Sequence, residues 1–286
     1  MLVSISKHEK FVKQWRLLAG NSSDSIDALQ LRLAGNAYVS YVSGLPTNVI
    51  GYVNVTGNSR SVVNGVTVCE ADRDEDNDRI QTGLSVWLKP KTTSGYLLTE
   101  IFLATPHRVA ELKSERSAQV VVEDRVLLKK RKRSEVKIKA LHTSTVYVSP
   151  PDTAVSLRKL SVSTTDDACV EYNAKSVHLS EKLELEAQKL SSIKFLSTSV
   201  STPQLHLNAS ASYSTICISA EAVDAPFHDV AGKKHISLPN SATKHGTSGK
   251  FLCKRSKLPA RKAAKIVDVV ARVNFIDEDL LEVDDK

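Results

Sequence analysis

The chain is poor in aromatic residues and contains no long apolar run. Phenylalanine, tryptophan and tyrosine make up 5% of its 286 residues, so few rings are available to stack on nucleic-acid bases. No stretch approaches the roughly 18 uncharged apolar residues of a membrane span. The first twenty residues are charged throughout and lack the apolar centre of a secretory signal. These absences predict a soluble intracellular protein.

Motifs of catalysis and metal binding are also missing. There is no G-x-S-x-G, Walker loop, H-E-x-x-H or G-x-G-x-x-G, and the eight histidines are scattered. Cys69, Cys169, Cys217 and Cys253 are widely spaced and form no C-x-x-C pair, which predicts four reduced thiols rather than a zinc site or a disulfide framework. We therefore expect no catalytic residues, no metal and no cofactor.

Positive charge is what the chain has in excess. Its 39 lysines and arginines outnumber 32 acidic residues, giving a net charge of +7, which favours an anionic partner such as nucleic acid or a membrane surface. Two basic sets offer many phosphate contacts and predict nucleic-acid binding without sequence specificity, or nuclear import in the case of the first set. The first set is Lys129, Lys130, Arg131, Lys132, Arg133, Lys137 and Lys139, and the second is Lys254, Arg255, Lys257, Arg261, Lys262 and Lys265.

An acidic block interrupts this basic sequence between Asp72 and Asp78. Its spacing supplies several calcium-ligand positions of an EF-hand, but Asn77 stands where that loop needs glycine and Gly83 where it needs glutamate. The block also follows a strand-like segment rather than a helix. A solvated hairpin loop is therefore the preferred interpretation, with no metal bound.

Short runs rich in valine and threonine follow one another from about residue 31. Glycine, proline, asparagine and serine separate them at roughly the 8–12-residue spacing of an antiparallel sandwich or barrel. We expect a mainly all-β protein whose N-terminal segment, residues 1–29, consists of a short amphipathic helix in the first twenty residues and a lead-in to the core; Phe11, Trp15 and Leu18 have helical spacing. A β-rich core covers residues 30–224 and includes a peripheral helix at 180–192. A disordered charged tail, basic and then acidic, covers residues 225–286.

The order of strands resembles a known family. The run NVIGYVNVTG (48–57) is followed by NGVTVCEAD (64–72), a strand that closes on Asp72, and then by EIFLATPHRV (100–109), AQVVVEDRVLL (118–128) and SEVKIKALHTSTVYV (134–148). This order, from about residue 47 to 150, resembles the plant-virus 30K superfamily of cell-to-cell movement proteins.

The resemblance implies a single jelly-roll-like antiparallel β-sandwich, with Asp72 as a structural carboxylate at a strand end. It also implies binding of single-stranded RNA without sequence specificity, self-association, and transport of the viral genome through plasmodesmata. Host plasmodesmal or membrane-associated proteins would be partners, with peripheral membrane contact. The expected location is then the plasmodesmata, cell periphery and cytoplasm of the host cell.

Three other interpretations remain open. A viral matrix protein, such as that of a plant nucleorhabdovirus, would use the Lys129–Arg133 run as a nuclear import signal, condense nucleocapsids and contact membrane. A host nuclear chaperone-like β-sandwich would bind its client through the acidic residues. An enzyme of an unrecognised type would need a catalytic carboxylate, for which the acidic block is the candidate.

Overall fold

Strands of successive turns lie one above another in parallel and wind into a β-solenoid of about five turns. The structure is a computed structural model that describes residues 11–19, 25–71, 83–90, 92, 94–128 and 130–267. Within these ranges, strands account for nearly all of the regular structure, and the short helices lie between them.

The described residues form the following elements in chain order. They are β1 (Phe11–Leu18), β2 (Ala28–Tyr41), β3 (Val49–Gly57), α1 (Arg60–Asn64), β4 (Val66–Glu70), β5 (Gly83–Leu88), β6 (Tyr96–Leu103), β7 (Glu111–Val122), β8 (Lys130–Ala140), β9 (Thr145–Val148), β10 (Ala154–Thr164), β11 (Cys169–Asn173), β12 (Ser176–Ala187), β13 (Ser192–Leu196), β14 (Ser199–Ser201), β15 (Gln204–Asn208), β16 (Thr215–Ser219), β17 (Ala222–Asp224), β18 (Phe227–Ala231), a 3-10 helix (Lys233–His235), β19 (Ile236–Ser237) and β20 (Ala264–Lys265).

Parallel pairing groups the strands into three faces. Face 1 stacks the first halves of β2 and β7 on the second parts of β8, β10 and β12, followed by β15 and β18. Face 2 stacks the second halves of β2 and β7 on β9, β11, β13, β16 and β19. Face 3 stacks the first parts of β8, β10 and β12 on β14 and β17.

Aligned aliphatic side chains fill the interior. Alternate residues of a strand point to opposite sides, so in-register stacking places every inward residue directly above its counterpart in the next turn. On face 1 this row is fully buried: Leu112, Ile138, Val162, Leu185 and Leu207. On face 2 the rings of Tyr172 and Phe195 stack with their centroids 5.0 Å apart. These rows form one continuous core along the solenoid axis.

Antiparallel strands cover the N-terminal end of the solenoid. Strand β3 pairs with β1 on one edge and with β6 on the other, and β4 pairs with β5. Helix α1 joins β3 to β4, and the Ser59 hydroxyl accepts a hydrogen bond from the backbone N–H of Val62 at its N-terminus. Val62 and Val63 of this helix are buried. The edge of β5 that has no parallel neighbour is therefore paired with β4.

The C-terminal part of the described chain returns along face 2. We call residues 250–267 the strap; it runs from β16 and β19, at one end of the solenoid, back to β2 and β6 at the other. Crossing from β16 to β2 means crossing five rungs, or about 24 Å at ~4.8 Å per rung. The six residue steps from Cys253 to Pro259 extend to about 20 Å at ~3.4 Å each. The strap must therefore be extended where it crosses the face, and the side chains of Cys217 and Tyr38, which hold its two ends, bridge the remaining ~4 Å.

The predicted jelly-roll-like antiparallel sandwich is wrong. The strands from β7 to β19 form parallel ladders, and antiparallel pairing among the described residues is confined to β1, β3 to β6 and β20. Alternation and turn residues look the same in a sandwich and in a solenoid, because both bury one side of each strand. The distinguishing signal is the spacing of the face 1 core row: positions 112, 138, 162, 185 and 207 lie 26, 24, 23 and 22 residues apart.

The predicted helices are wrong as well. Phe11 and Trp15 belong to strand β1, whose side chains alternate between half-buried and exposed, and Leu18 is 50% exposed. Residues four apart share a face in a helix and also in a strand, so the aromatic pair fits both. The segment 180–192 lies mostly in β12, where Leu183 and Leu185, two residues apart, are both buried.

The predicted disordered tail is wrong for the part that the structure describes. Residues 225–267 contribute β18, β19, β20 and the strap, while residues 268–286, including the acidic end, lie outside the described residues. The many lysines and serines of this segment gave it a disorder-like composition. Its order comes from contacts with distant strands, which a local composition does not reveal.

Candidate basic surface on the strap

A disulfide fixes the strap to the C-terminal part of face 2. Cys253 is bonded to Cys217 of β16, with their Cα atoms 5.7 Å apart, so the prediction of four reduced thiols is wrong for this pair. The Ser237 hydroxyl of β19 also donates a 2.6 Å hydrogen bond to the Phe251 carbonyl. Cys69 and Cys169 remain free thiols.

A buried carboxylate holds the middle of the strap. Glu171 points outward from β11, yet its residue exposure is 0% because the strap covers it. Both of its carboxylate oxygens accept from the Ser256 backbone N–H, at 3.0 and 3.2 Å. Lys194, on the next rung, lies 3.7 Å from the same carboxylate and donates to the Ser256 hydroxyl at 2.9 Å. Glu171 and Lys194 thus clamp one residue of the strap.

The N-terminal end of the strap is held by side chains of β2. The Tyr38 hydroxyl donates to the Pro259 carbonyl, and the Asn36 amide donates to the carbonyls of Ala260 and Lys262 at 3.0 and 3.1 Å. Burial is the main reason that the pKa of Tyr38 is raised, so the hydroxyl stays protonated as a donor. Beyond this point β20 pairs antiparallel with β6.

Arg261 serves as an anchor. Its guanidinium donates to Glu100 at 2.7 Å, to Glu123 at 3.3 Å and to the Ser40 hydroxyl at 3.0 Å, and it lies over the ring of Tyr38 at 5.0 Å. Three hydrogen bonds and a ring contact leave little of its charge available to another molecule. The sequence predicted Arg261 as a nucleic-acid contact; the structure places it against the protein's own carboxylates.

The other strap cations remain exposed. The backbone between the anchors is held down, while the charged side chains lie on the outside. None of these cations has an ion-pair partner among the described residues. They are Lys250, Lys254, Arg255, Lys257, Lys262 and Lys265. The strap therefore carries a row of uncompensated positive charge along face 2, which we call the basic row.

Several charged residues of face 1, in contrast, form ion pairs with one another. Lys159 lies 3.3 Å from Glu135 and 2.9 Å from Glu184 on the neighbouring rungs. Arg158 contacts the carboxylate of Glu181 at 2.6 Å. Burial acts to raise the pKa of Glu184. Hydrogen bonds and positive charge from Lys182 and Lys159 outweigh burial and lower that pKa to about 2. These cations are thus paired with carboxylates, whereas Lys137 and Lys139 of the same face have no ion-pair partner among the described residues.

The first predicted basic set lies away from the strap. Lys130 and Arg131 pair with Ser156 and Leu157 at the start of β8 on face 3, and Lys137 and Lys139 follow on face 1. Of the side chains from 130 to 133 nothing is described, and Lys129 and Asp72 lie outside the described residues. The two basic sets that the sequence suggested are therefore not brought together.

Several residues of this surface were not identified from the sequence. Glu171 follows a core valine in a run that reads as an ordinary strand, and nothing local indicates that another segment covers it. The pairing of Cys217 with Cys253 depends on the same return of the chain. The 22–26-residue spacing of the turns would have placed Val121, Tyr147 and Glu171 in one outward row, because they lie 26 and 24 residues apart, but it would not have reached Tyr38, which is 83 residues before Val121.

No protein-family model and no curated protein matches this chain. Three solved bacterial structures resemble it at low TM-score. A candidate adhesin from Parabacteroides merdae is 13% identical, with a TM-score of 0.41 and coverage of 81% of this chain and 94% of that one. A candidate adhesin from Parabacteroides distasonis is 12% identical, with a TM-score of 0.36 and coverage of 79% and 96%. A candidate lipid-binding protein from the same species is 10% identical, with a TM-score of 0.40 and coverage of 77% and 95%.

Two kinds of feature are absent from the part of the chain that the structure describes. No helix in these ranges is long and apolar enough to cross a membrane. No group of three or more histidine, cysteine or acidic side chains in the same ranges is arranged to hold a metal ion.

Replacing Glu171 with alanine should loosen the strap. The change leaves the Ser256 N–H without its acceptor and Lys194 without its carboxylate, at a cost of about 1–3 kcal/mol. We expect faster hydrogen exchange at Ser256 and its neighbours, with the β13 amides still protected. The Glu171→Gln variant keeps one acceptor oxygen, so its rate of hydrogen exchange at Ser256 should lie between those of the parent and the alanine variant. Unchanged exchange at Ser256 in the alanine variant would contradict the clamp.

The face 1 network should make stability depend on acid pH. The pKa of Glu184 falls from a usual 4.5 to about 2 in the folded protein, so its contribution is complete above pH 4.5 and is lost as pH falls towards 2. The Glu184→Gln variant should be less stable than the parent at neutral pH, with the gap closing over that window in urea unfolding. The Glu186→Gln variant, on the same strand but without a lysine partner among the described residues, is the control. A constant gap for Glu184→Gln across the window would rule out this account.

Proposed function

We propose that this protein binds a linear acidic polysaccharide along the strap. The observation that carries the proposal is the basic row, whose exposed cations follow one another along an extended segment that crosses face 2. An extended polymer with regularly placed anionic groups can contact several of these cations at once. Each exposed contact contributes little, about 0.2–1 kcal/mol, so affinity requires many of them.

The way in which the strap backbone is held in place suits an extended polymeric ligand. Its backbone is held by the Cys217–Cys253 disulfide, by Glu171 and by β20, so the spacing between its cations is set before a ligand arrives. The protein then loses little conformational entropy on binding. Its affinity should therefore be higher than that of a flexible basic tail with the same charge. This differs from the mobile tail that the sequence suggested.

Two observations favour a polysaccharide over single-stranded RNA, the ligand that the family resemblance implied. The first is the disulfide, because disulfides persist mainly in oxidising, extracytoplasmic environments. The second is the scarcity of rings: Phe251 is the one aromatic residue of the strap, and it is half-buried. Proteins that bind single-stranded nucleic acid without sequence preference commonly stack bases on exposed rings. RNA therefore enters the test as the competing ligand.

Removing three strap lysines should weaken binding of polygalacturonate. We expect Lys254→Ala, Lys257→Ala and Lys262→Ala together to reduce affinity on the order of tenfold, since three exposed charge contacts are lost at about 0.2–1 kcal/mol each. Titration calorimetry at two salt concentrations measures the affinity, and the triple variant should also show a weaker salt dependence.

The matched control removes three exposed lysines outside the strap. Lys89→Ala, Lys233→Ala and Lys234→Ala change the net charge equally and should leave affinity nearly unchanged. Equal losses in both triple variants would mean that only net charge matters, and the strap would not be the site. Tighter binding of single-stranded polyuridylate than of polygalacturonate at equal charge would replace the polysaccharide with RNA. Loss of binding on replacing Lys130 to Arg133, with the strap intact, would move the site to β8.

A further inference from the structure

A polar groove lies beside the strap, at the corner between faces 2 and 3. Its volume is about 300 Å³, which exceeds that of a few water molecules. Its wall is made from successive turns, because Asn173 ends β11, Leu196 ends β13 and Ser219 ends β16, one rung above another. Thr198 and Glu221 follow in the corners of two of these turns, and Arg255 comes from the strap.

Several polar groups around the corner groove are available to bind a ligand. Asn240 donates to the Ser219 hydroxyl at 2.8 Å, which leaves its carbonyl oxygen available. The Glu221 carboxylate, the Thr198 hydroxyl and the Arg255 guanidinium are exposed and have no side-chain partner among the described residues. The groove thus offers one cation, one carboxylate, an amide and a hydroxyl, a set that can bind both an anionic group and neighbouring hydroxyls.

Among the described residues that line the groove, Arg255 is the one that belongs to the basic row. It stands between the two firmest anchors of the strap, the disulfide at Cys253 and the Glu171 contact at Ser256. These anchors fix the backbone on both sides of Arg255, so the guanidinium is kept beside the groove. Arginine binds a carboxylate through two parallel N–H donors, which a lysine cannot do.

We propose that the corner groove binds one uronic acid residue of the polymer. Arg255 would bind the sugar carboxylate, while Glu221 and the Asn240 carbonyl accept hydrogen bonds from its hydroxyls and Thr198 completes the set. This deepens the proposed function and rests on it: the basic row supplies general attraction to an acidic chain, and the groove supplies a preference for sugar. The ligand class is defined by a carboxylate beside several hydroxyl groups on one ring.

Nuclear magnetic resonance of the full chain with three small probes tests this assignment. Galacturonate carries both the carboxylate and the hydroxyls, galactose lacks the carboxylate, and acetate lacks the hydroxyls. We expect galacturonate to shift the backbone amide signals of Thr198, Ser219, Glu221 and Asn240 in a saturable way. Galactose and acetate should each cause much weaker shifts, because each satisfies only part of the donor and acceptor set.

Three variants separate the contributions. Arg255→Ala and Glu221→Ala should each weaken galacturonate binding on the order of tenfold, as expected for loss of a hydrogen bond to a charged group. Both residues are exposed, so these variants should fold. Lys89→Ala removes an exposed cation outside both the strap and the groove and should leave galacturonate binding unchanged.

The outcomes distinguish this inference from the proposed function. Equal saturation by acetate and galacturonate would reduce the groove to an anion site and overturn the sugar assignment. Absence of saturable shifts with galacturonate would overturn the groove site, even if polygalacturonate still binds along the strap. Saturable galacturonate binding without polygalacturonate binding would support the groove and contradict the strap as a polymer site.

Discussion

The strap can lie on face 2 because an extended chain and a stack of parallel rungs have closely matched spacings. Ser256 is three positions after Cys253 in the chain. Strand β16 holds Cys253 and strand β11 holds Ser256, and these two strands are two rungs apart. At ~3.4 Å per residue and ~4.8 Å per rung, both distances are about 10 Å. Each anchor on the strap therefore meets a fixed row of outward residues without a bend.

Because of this match, the strap can cover a row of outward-pointing residues that would otherwise be exposed on the solenoid surface. Glu171 and Tyr38 point away from the core, yet the strap buries both. The carboxylate and the hydroxyl each find a partner in the strap backbone, so neither is left unsatisfied. These polar contacts act beside a small apolar cluster, in which Ala263 of the strap packs with Tyr38, Leu98 and Val121, and the disulfide secures the strap at one end.

The excess positive charge of the chain is distributed by the same arrangement. On face 1, lysines and glutamates of neighbouring rungs lie side by side and cancel. On face 2 the carboxylates beneath the strap bind strap backbone or Arg261, so the remaining strap cations face outward without partners. Part of the excess positive charge of the chain is therefore localised on the strap. We propose that this localisation underlies binding.

Part of this could be predicted from the sequence. The alternation of valine and threonine correctly indicated an all-β protein, and the strap cations were identified as candidate contacts. The parallel winding was missed, because alternation within a strand carries no information about its neighbour's direction. The predicted helix at 180–192 was wrong because the segment buries Leu183 and Leu185, two residues apart as in a strand, and leaves Leu190 58% exposed. The clamp at Glu171 and the disulfide depend on residues 36 to 85 positions apart, which local patterns cannot relate.

Peptide mapping of the folded protein without reduction tests the central claim most directly. Alkylating free thiols before digestion and then sequencing the cross-linked peptides identifies every disulfide. If the strap lies on face 2, the peptide that contains Cys253 should be joined to the one that contains Cys217, with Cys69 and Cys169 alkylated. Alkylation of all four cysteines, or a bond from Cys253 to either of the other two, would contradict the placement of the strap and the surface built on it.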